Sequence, residues 1–260
     1  MSNKLFDLSN KTALVTGGNG GIGLGYATGI AKQGGDVCIW GRNEQKNQQA
    51  LTQLEAYGTR IHAMVVDVTE EDTVANAFAE TLEIFGRVDA CFANAGAGGA
   101  YGNFDEMDTD KWRRVLTINQ DGLFFTLRAA AGHMKERAQA GDPGGRLVGT
   151  SSLGAMLGMA RSQAYAGTKG AVISIMQGLA VEYARYGVTA NSIVPGYIES
   201  AMTSGLFENE KFVKAIMPRI PARRWGKSED FEAIAAYLMS DASQYHTADK
   251  FVIDGGFRMF

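Results

Sequence analysis

The feature that most constrains the fold of this chain is a regular alternation of short apolar runs with longer segments of helical pattern. Seven runs with the composition of β-strands begin at residues 12, 36, 60, 87, 145, 188 and 250. Alternation of this kind builds parallel βαβ units with right-handed crossovers. The runs are apolar almost throughout, as expected for strands that helices cover on both faces. The sequence therefore predicts an α/β fold: one doubly wound domain over residues 1–260, with a parallel sheet of about seven strands flanked by helices.

The charge and hydropathy of the chain argue against nucleic acid and membrane as partners. The net charge is −3, and lysine and arginine are scattered rather than gathered into a stripe. No apolar stretch approaches the ~18 residues that a membrane span needs. The first residues, MSNKLFDLSNK, lack the apolar segment of a secretory signal. We therefore expect a cytoplasmic protein that acts on a small molecule.

The cysteines and histidines indicate no metal centre. Cys38 and Cys91 lie inside apolar strand-like runs, which favours buried free thiols in a reducing compartment over a disulfide. His62, His133 and His246 are scattered without ligand-like spacing. The G-x-S-x-G pattern of a hydrolase nucleophile elbow does not follow the fifth run. Neither a metal-dependent mechanism nor a serine-hydrolase mechanism is expected.

A glycine-rich turn, TGGNGGIG at residues 16–23, follows the first predicted strand and opens the first predicted helix; we call it the glycine turn. Its glycines at 18, 20 and 23 match G-x-G-x-x-G, and those at 17, 21 and 23 match the looser T-G-x-x-x-G-x-G. Such a backbone can lie against a pyrophosphate while the helix N-terminus offers free N–H groups. A tight turn without a ligand is the alternative, but the order of strand, turn and helix favours dinucleotide binding.

The end of the second predicted strand bears on which dinucleotide is bound. An acidic residue there would hydrogen-bond the ribose hydroxyls of NAD, but the chain has WGRN, with Arg42 and no carboxylate before Glu44. Arg42 can pair with a 2′-phosphate, although an arginine exposed to solvent at a loop is the alternative. The sequence therefore favours NADP(H) over NAD(H) as the cofactor.

Tyr165 and Lys169 lie four residues apart in the segment SQAYAGTKGA, where most neighbours are small. Positions i and i+4 share one face of a helix, so the phenol and the ammonium can point the same way. A free tyrosine has a pKa of about 10, and a nearby cation lowers it toward neutral pH. Such a tyrosine can act as a general acid or base, whereas a pair on a solvated face would have no chemical role.

In order along the chain, these and further motifs resemble those of the short-chain dehydrogenase/reductase family over nearly the whole length. After the glycine turn come N-A-G at residues 94–96, Asn119 within TINQDGLFF, and Ser152 thirteen residues before Tyr165. The Y-x-x-x-K pair, a P-G turn at residues 195–196 and D-G-G at residues 254–256 complete the series. Each pattern alone is weak, but the ordered set is specific.

The resemblance implies a Rossmann fold and four catalytic residues, Asn119, Ser152, Tyr165 and Lys169. Tyr165 would protonate the ketone oxygen, and Ser152 would orient that oxygen. Lys169 would lower the pKa of the phenol and bind the nicotinamide ribose, while Asn119 would hold a water that links Lys169 to solvent. Members of the family commonly associate through two long helices, so a homotetramer or a homodimer is expected.

The resemblance also implies a set of cofactor contacts. They are Gly17, Asn19, Gly20, Gly21, Ile22, Gly23, Arg42, Asn43, Asp67, Val68, Asn94, Gly96, Ile118, Tyr165, Lys169, Pro195, Gly196, Ile198 and Ser200. Within this set, Asp67 and Val68 would meet the adenine, and Ile198 would hold the nicotinamide carboxamide through its backbone. One departure weakens the preference for NADP, because many members that prefer it have Lys or Arg where this chain has Gly20.

Substrate contacts are predicted from the catalytic residues and from the segment at 197–227. This segment is long for an α/β connection, and it carries apolar side chains suited to cover a ligand. The predicted contacts are Ser152, Leu153, Met159, Tyr165, Met202 and Leu206. The expected reaction interconverts a small or medium ketone and a secondary alcohol.

Three alternatives stay open from the sequence. A 3-oxoacyl thioester reductase would use basic residues near the mouth of the pocket, for which the candidates are Arg161, Arg219, Arg223 and Arg224. An NAD-linked dehydrogenase of polyols or hydroxy compounds is the second alternative. A silent dinucleotide-binding module is the third, and the intact catalytic residues argue against it.

Overall fold

The computed structural model describes residues 5–98 and 102–260, and one seven-stranded sheet lies at its centre. The strands are β1 (Thr12–Thr16), β2 (Asp36–Gly41), β3 (Ile61–Val65), β4 (Ala90–Ala93), β5 (Gly145–Thr150), β6 (Val188–Pro195) and β7 (Lys250–Ile253). Neighbouring strands pair in parallel, in the order β3-β2-β1-β4-β5-β6-β7. The predicted doubly wound parallel sheet is confirmed.

Helices connect the strands and cover both faces of the sheet. They are α1 (Gly21–Lys32), α2 (Glu44–Glu55), α3 (Glu71–Phe85), α4 (Thr109–Leu116), α5 (Gly122–Gln139), α6 (Gln163–Tyr183), α7 (Ser204–Phe207), α8 (Glu210–Ile216) and α9 (Glu232–Met239). The helical stretch predicted at 105–137 is divided into α4 and α5 by a π-helical turn, Thr117–Asp121. The helix predicted at 162–186 is α-helical only as far as the end of α6, and a 3₁₀ turn, Ala184–Tyr186, follows it.

The strand order reverses at β1, which pairs with β2 on one side and with β4 on the other. The connections that leave β1 and β4 therefore diverge to opposite faces, and a crevice opens at the carboxyl ends of these strands. The glycine turn leaves β1 at this point, and the loop that begins with Asn94 leaves β4. The fold thus brings two of the sequence motifs to the same crevice.

Side chains of the central strands alternate between two layers of the core. Leu14 and Cys38 pack with residues of α3, α5 and α6, whereas Val15 and Ile39 pack with residues of α1, α2 and α9. Cys38 and Cys91 are both buried, and each pairs with Leu14 from opposite sides of β1. Two strand spacings, about 9–10 Å, separate them, which is too far for a disulfide. Burial raises the pKa of Cys38 to about 11 and that of Cys91 to about 12, so neither is a ready nucleophile.

Residues 5–98 and 102–260 contain neither a candidate membrane-spanning helix nor a candidate metal-binding group. None of their helices combines the length and the apolar character needed to cross a membrane. None of their His, Cys, Asp and Glu side chains form a group of three or more that could hold a metal ion.

Helix α1 packs closely against the backbone of α9 and of the turn before α9, because the residues of α1 at this contact are glycines. A Cβ added to Gly29 would lie 2.2 Å from the carbonyl oxygen of Glu232, and one added to Gly25 would lie 2.1 Å from that of Ser228. Lys32 adds a 2.6 Å hydrogen bond from its Nζ to a carboxylate oxygen of Glu232. This close packing holds α1, and with it the glycine turn, in place on the sheet.

We expect Gly29→Ala to destabilise the protein by about 1–3 kcal/mol, because the added methyl group would force α1 away from α9. Gly178 is the matched control, since it lies exposed on α6 with no described atom of another segment within 4 Å of an added Cβ. Gly178→Ala should leave stability unchanged or raise it by up to about 1 kcal/mol. Chemical denaturation measures both free energies of unfolding, and equal values would contradict the role of the close packing.

Candidate active site

A cavity of about 700 Å³ lies at the carboxyl ends of the central strands. Its lining includes the glycine turn after β1, Arg42 after β2, Asp67 after β3, Asn94 after β4 and Ser152 after β5. The crevice at a reversal of strand order is where open α/β sheets bind ligands. This cavity is therefore the candidate active site.

The shape of the glycine turn depends on backbone conformations that favour glycine. Gly17 has a φ of +64° and Gly21 a φ of +51°. A Cβ added to Gly23 would lie 2.2 Å from the carbonyl oxygen of Gly17. Asn94 holds the turn against β4, because its Nδ2 donates to the carbonyl oxygen of Thr16 at 3.0 Å and its backbone N–H donates to Thr16 Oγ1 at 3.0 Å.

The glycine turn presents bare backbone at the N-terminus of α1. This helix begins at Gly21, and its N-cap residue, Gly20, has no side chain with which to cap it. The N–H groups of the first turn and the positive end of the helix dipole can therefore stabilise a phosphate in the cavity. A Cβ on Gly20 would meet no described atom within 4 Å, so there is open space beside the turn. These residues fit the pyrophosphate of a dinucleotide.

Basic and polar side chains lie at the end of the cavity near β2. Arg42, Lys46 and Gln49 line it; the side chain of Arg42 is 61% exposed, and its Nη1 lies 3.7 Å from Asp67 Oδ2. Burial opposes ionisation of Asp67, but hydrogen bonds from Thr69 and the charge of Arg42 outweigh it and lower the pKa of the carboxyl group. Asp67 is therefore ionised at neutral pH, and the exposed side chain of Arg42 remains accessible to an anion.

The side chains of Asn19 and Asn47 lie against Gly41 at the end of β2, where a larger residue would meet them. A Cβ there would lie 2.2 Å from Asn19 Nδ2 and 2.5 Å from Asn47 Oδ1. The buried Asn47 is held by donating to the carbonyl oxygens of Gly41 at 2.9 Å and Met64 at 3.0 Å, and it accepts from Asn19 Nδ2 at 2.6 Å. An acidic side chain at position 41 would therefore have to displace Asn19 and Asn47 from these hydrogen bonds.

Ser152, Tyr165 and Lys169 all line the other end of the cavity. The Nζ of Lys169 lies 5.8 Å from the centroid of the Tyr165 ring and donates to the carbonyl oxygen of Thr150 at 2.8 Å. Ser151 Oγ donates in turn to the carbonyl oxygen of Lys169 at 2.7 Å. These two hydrogen bonds attach α6 to the end of β5, so the three predicted catalytic residues are brought together.

Burial changes the pKa of both members of the tyrosine–lysine pair. It raises the pKa of Tyr165, and the hydroxyl of Ser152 opposes this rise. It lowers the pKa of Lys169, which is 5% exposed, to about 8. The sequence predicted that the lysine would lower the pKa of the tyrosine; in this structure burial dominates instead, and the phenol stays protonated at neutral pH.

Asn119 lies in the π-helical turn between α4 and α5 and does not line the cavity. Its Oδ1 accepts from the N–H of Ala97 at 2.8 Å, and its Nδ2 donates to the carbonyl oxygen of Ala97 and to Thr168 Oγ1, both at 3.0 Å. Thr168 Oγ1 donates to the carbonyl oxygen of Tyr165 at 2.7 Å. Asn119 thus connects the loop after β4 to the helix that carries Tyr165, and all of its polar side-chain atoms are in use.

The segment at 197–227 is a loop whose two ends are hydrogen-bonded to each other. Gly226 donates its N–H to the carbonyl oxygen of Tyr197 at 2.9 Å and accepts from the N–H of Glu199 at 2.8 Å. Within the loop, the rings of Phe207 and Trp225 stack at 4.2 Å between centroids. Residues 200–203 line the cavity, so this loop covers one side of the candidate site.

Most of the predicted site residues line the cavity. These are Gly17, Asn19, Gly20, Gly21, Ile22, Arg42, Asp67, Val68, Asn94, Gly96, Ile118, Ser152, Tyr165, Lys169, Pro195, Gly196, Ile198, Ser200 and Met202. The predicted residues outside the lining are Gly23, Asn43, Asn119, Leu153, Met159 and Leu206. Asn43 caps α2 by accepting from the N–H of Lys46, and Leu153 is buried in a cluster with Val194.

Sequence patterns missed several lining residues. These are Trp40, Gly41, Lys46, Gln49, Val66, Ala95, Thr150, Ser151, Ala201 and Thr203. Lys46 was within reach of the sequence, because it follows Arg42 by four residues at the start of a predicted helix. Thr150 and Ser151 gave no such signal, since they approach Lys169 only through the packing of α6 on β5.

The four arginines considered for a thioester substrate lie apart from the cavity. Within the described part of the chain, none of them belongs to its lining. Three are held elsewhere: Arg219 lies over the ring of Phe257, Arg223 donates to the carbonyl oxygen of Pro218, and Arg224 pairs with Asp230. A thioester substrate that used these arginines would therefore have to extend beyond the lining of the cavity.

Known proteins resemble this chain over almost its whole length. A family model described as enoyl-(acyl carrier protein) reductase matches residues 17–258. Gluconate 5-dehydrogenase of Gluconobacter oxydans (strain 621H) is 34% identical over 252 residues, which are 97% of this chain and 96% of that protein. Cyclohexanol dehydrogenase of Acinetobacter sp. (strain SE19) is 30% identical over 257 residues, which are 99% of this chain and 97% of that protein.

Solved structures show the same similarity. The crystal structure of a gluconate 5-dehydrogenase from Burkholderia cenocepacia J2315 in complex with NADP and tartrate matches with a TM-score of 0.91 at 32% sequence identity. The match covers 98% of this chain and 98% of that chain. A nicotinamide dinucleotide is therefore the cofactor type that this similarity supports.

The lowered pKa of Lys169 predicts a specific pH dependence of stability. Since this pKa is about 8 in the folded protein, the unfolded chain binds more protons between about pH 8 and pH 10. Stability from Lys169 therefore rises with pH across this window, and Lys169→Met removes that rise. We expect the free energy of unfolding of the variant, relative to wild type, to fall by about 1–3 kcal/mol from pH 7 to pH 10. Denaturation at several pH values measures it, and a pH-independent difference would contradict a buried cation.

Proposed function

This chain belongs to the short-chain dehydrogenase/reductase family, and we propose that it is an NADP(H)-dependent enzyme in which Tyr165 is the general acid and base. Its named relatives are dehydrogenases of CH–OH groups, so it is an oxidoreductase that interconverts alcohols and ketones. The observation that best supports the finer proposal is that Ser152, Tyr165 and Lys169 line the same cavity as the glycine turn.

The lining of the cavity fits a nicotinamide dinucleotide that crosses the carboxyl ends of the strands. The glycine turn and the N-terminus of α1 would bind the pyrophosphate, and Asp67 and Val68 would border the adenine. Lys169 and the backbone of Ile198 would hold the nicotinamide end. When bound, the cofactor supplies a hydride to the substrate carbon or accepts one from it.

In the proposed mechanism, Tyr165 moves the proton that accompanies hydride transfer. During reduction its hydroxyl donates a proton to the carbonyl oxygen as negative charge develops there, while Ser152 donates a hydrogen bond that orients the same oxygen. During oxidation the phenolate takes the proton from the alcohol. The ammonium of Lys169 stabilises the phenolate form that reduction leaves behind.

At neutral pH the buried environment keeps Tyr165 in the protonated form that ketone reduction needs. Burial raises the pKa of Tyr165, so the phenol is protonated and ready to donate. It lowers the pKa of Lys169 only to about 8, so the ammonium persists at pH 7. Oxidation needs the phenolate as a base and is therefore favoured at higher pH.

Tyr165→Phe tests the proposed mechanism. We expect it to lower kcat/KM for ketone reduction by about 10²–10⁴-fold, because the proton donor is removed, while NADPH binding weakens by no more than about 10-fold, because only one hydroxyl of the cofactor site is lost. Tyr183→Phe, on the same helix but outside the cavity lining, is the control and should keep full activity. Steady-state kinetics and a fluorescence titration of the cofactor give the two readouts. Undiminished turnover by Tyr165→Phe would rule the mechanism out.

The preference for NADP(H) rests on the lining near the end of β2. Arg42 and Lys46 provide two cations there, and Gly41 stands where an acidic side chain would bind the ribose hydroxyls of NAD. A 2′-phosphate is stabilised by the exposed guanidinium of Arg42, since charge-assisted hydrogen bonds to phosphate are strong.

Substitution of Arg42 should weaken the binding of NADPH much more than the binding of NADH. We expect Arg42→Ala to weaken NADPH binding by about 10–100-fold and NADH binding by less than about 3-fold. Arg60→Ala is the control, because Arg60 is equally exposed but pairs with Asp36 at the opposite end of β2. Separate titrations of the wild type and the two variants with NADPH and NADH measure the six dissociation constants. Equal losses for both cofactors, or tighter NADH binding by the wild type, would contradict the phosphate contact.

A further inference from the structure

A thioether lies beside Tyr165 at the end of the cavity where the reaction is proposed. Met202 lines this end, and its Sδ is 2.9 Å from the point where a Cβ on Gly98 would lie. The Cε2 atom of Tyr165 is 3.8 Å from that same point. Because Gly98 has no side chain, Met202 and the ring of Tyr165 can both lie against it.

A second thioether lies behind Ser152 in the same manner. The Sδ of Met159 is 2.6 Å from the point where a Cβ on Gly154 would lie, and Ser152 Oγ is 3.6 Å from that point. Glycine again provides the space, and Met159 is partly buried there. Of these two methionines, only Met202 lines the cavity, whereas Met159 packs near Ser152 outside the lining.

Charged groups lie away from this end of the cavity. Within the described residues, the charged side chains of the lining are Arg42, Lys46, Asp67 and Lys169. The first three belong to the end near β2, where the adenosine would be bound. Lys169 is buried, and its ammonium already donates to the carbonyl oxygen of Thr150. A carboxylate on a substrate would find no free cation beside Met202 among these residues.

Resting on the proposed function, we propose that the substrate is an uncharged ketone or secondary alcohol with an apolar carbon skeleton, and that Met202 is a specificity-determining residue for it. Thioethers adapt to irregular apolar shapes but form only weak hydrogen bonds. A carboxylate or a row of hydroxyl groups placed against the thioether of Met202, which is 54% exposed, would lose part of its hydration without replacement. The site therefore selects against sugar acids, although gluconate dehydrogenases are among the relatives of this chain.

Three ketones with a shared reacting group test the substrate class. Cyclohexanone, its 4-carboxylate and the methyl ester of that carboxylate differ in charge and size, and the ester controls for size. With saturating NADPH, we expect kcat/KM for cyclohexanone and the ester to exceed that for the carboxylate by about 100-fold or more. Equal or faster reduction of the carboxylate would overturn the inference while leaving the proposed function intact.

An uncharged polyhydroxy ketone such as sorbose tests whether the site requires an apolar substrate or only an uncharged one. Its kcat/KM should also lie about 100-fold below that of cyclohexanone. A preference for sorbose would overturn the apolar part of the inference. If the protein binds NADPH but reduces none of the four ketones, the proposed function fails, and the substrate class fails with it.

Substitutions of Met202 test its role through KM. Met202→Gln keeps the length of the side chain but makes it polar, and we expect KM for cyclohexanone to rise about 5–10-fold with kcat and the NADPH dissociation constant little changed. Met202→Leu, which stays apolar, should remain within about 2-fold of wild type, and Met259→Gln, at an exposed methionine outside the cavity lining, should match wild type. An unchanged KM for Met202→Gln, or equal effects of Gln and Leu, would overturn the role assigned to Met202.

Discussion

The candidate site depends above all on the attachment of α6 to the end of β5. Lys169 makes this attachment twice, by donating from Nζ to the carbonyl oxygen of Thr150 and by accepting from Ser151 Oγ at its own carbonyl oxygen. Because α6 is helical, fixing Lys169 also fixes Tyr165 one turn earlier. Ser152 follows directly on the strand side. This pair of hydrogen bonds thus holds Ser152, Tyr165 and Lys169 in place at the cavity.

The same attachment explains the electrostatics of the site. Burying Lys169 between a strand and a helix removes its water, which lowers the pKa of the ammonium, while burial of the phenol raises the pKa of Tyr165. Both changes disfavour charge, so the free protein holds a protonated acid next to a cation that titrates near neutral pH. Burying the ammonium of Lys169 destabilises the folded state, as is common where a site is organised for chemistry rather than for stability.

Much of the fold and of the cofactor site could be predicted from the sequence, because the signals are local. The apolar runs, the glycine turn and the spacing of Tyr165 and Lys169 each depend on residues that are close along the chain. The contacts of Asn119 could not be predicted from the sequence. Its side chain joins the Ala97 backbone to Thr168, and it does so from the π-helical turn between α4 and α5. The apolar character expected around the substrate acquires its geometry only from Gly98 and Gly154, which provide space for two methionines.

The sequence by itself determined the strand and helix order, the backbone that can hold a dinucleotide and the pair of residues suited to acid–base chemistry. The tertiary structure alone decided which charges surround that pair and how deeply it is buried. Burial reversed the expected direction of the pKa change at Tyr165, and the arginines that the sequence offered to a thioester lie outside the cavity. The physical reason is that propensity and turn geometry act between neighbours in the chain, whereas desolvation depends on atoms that only packing brings together.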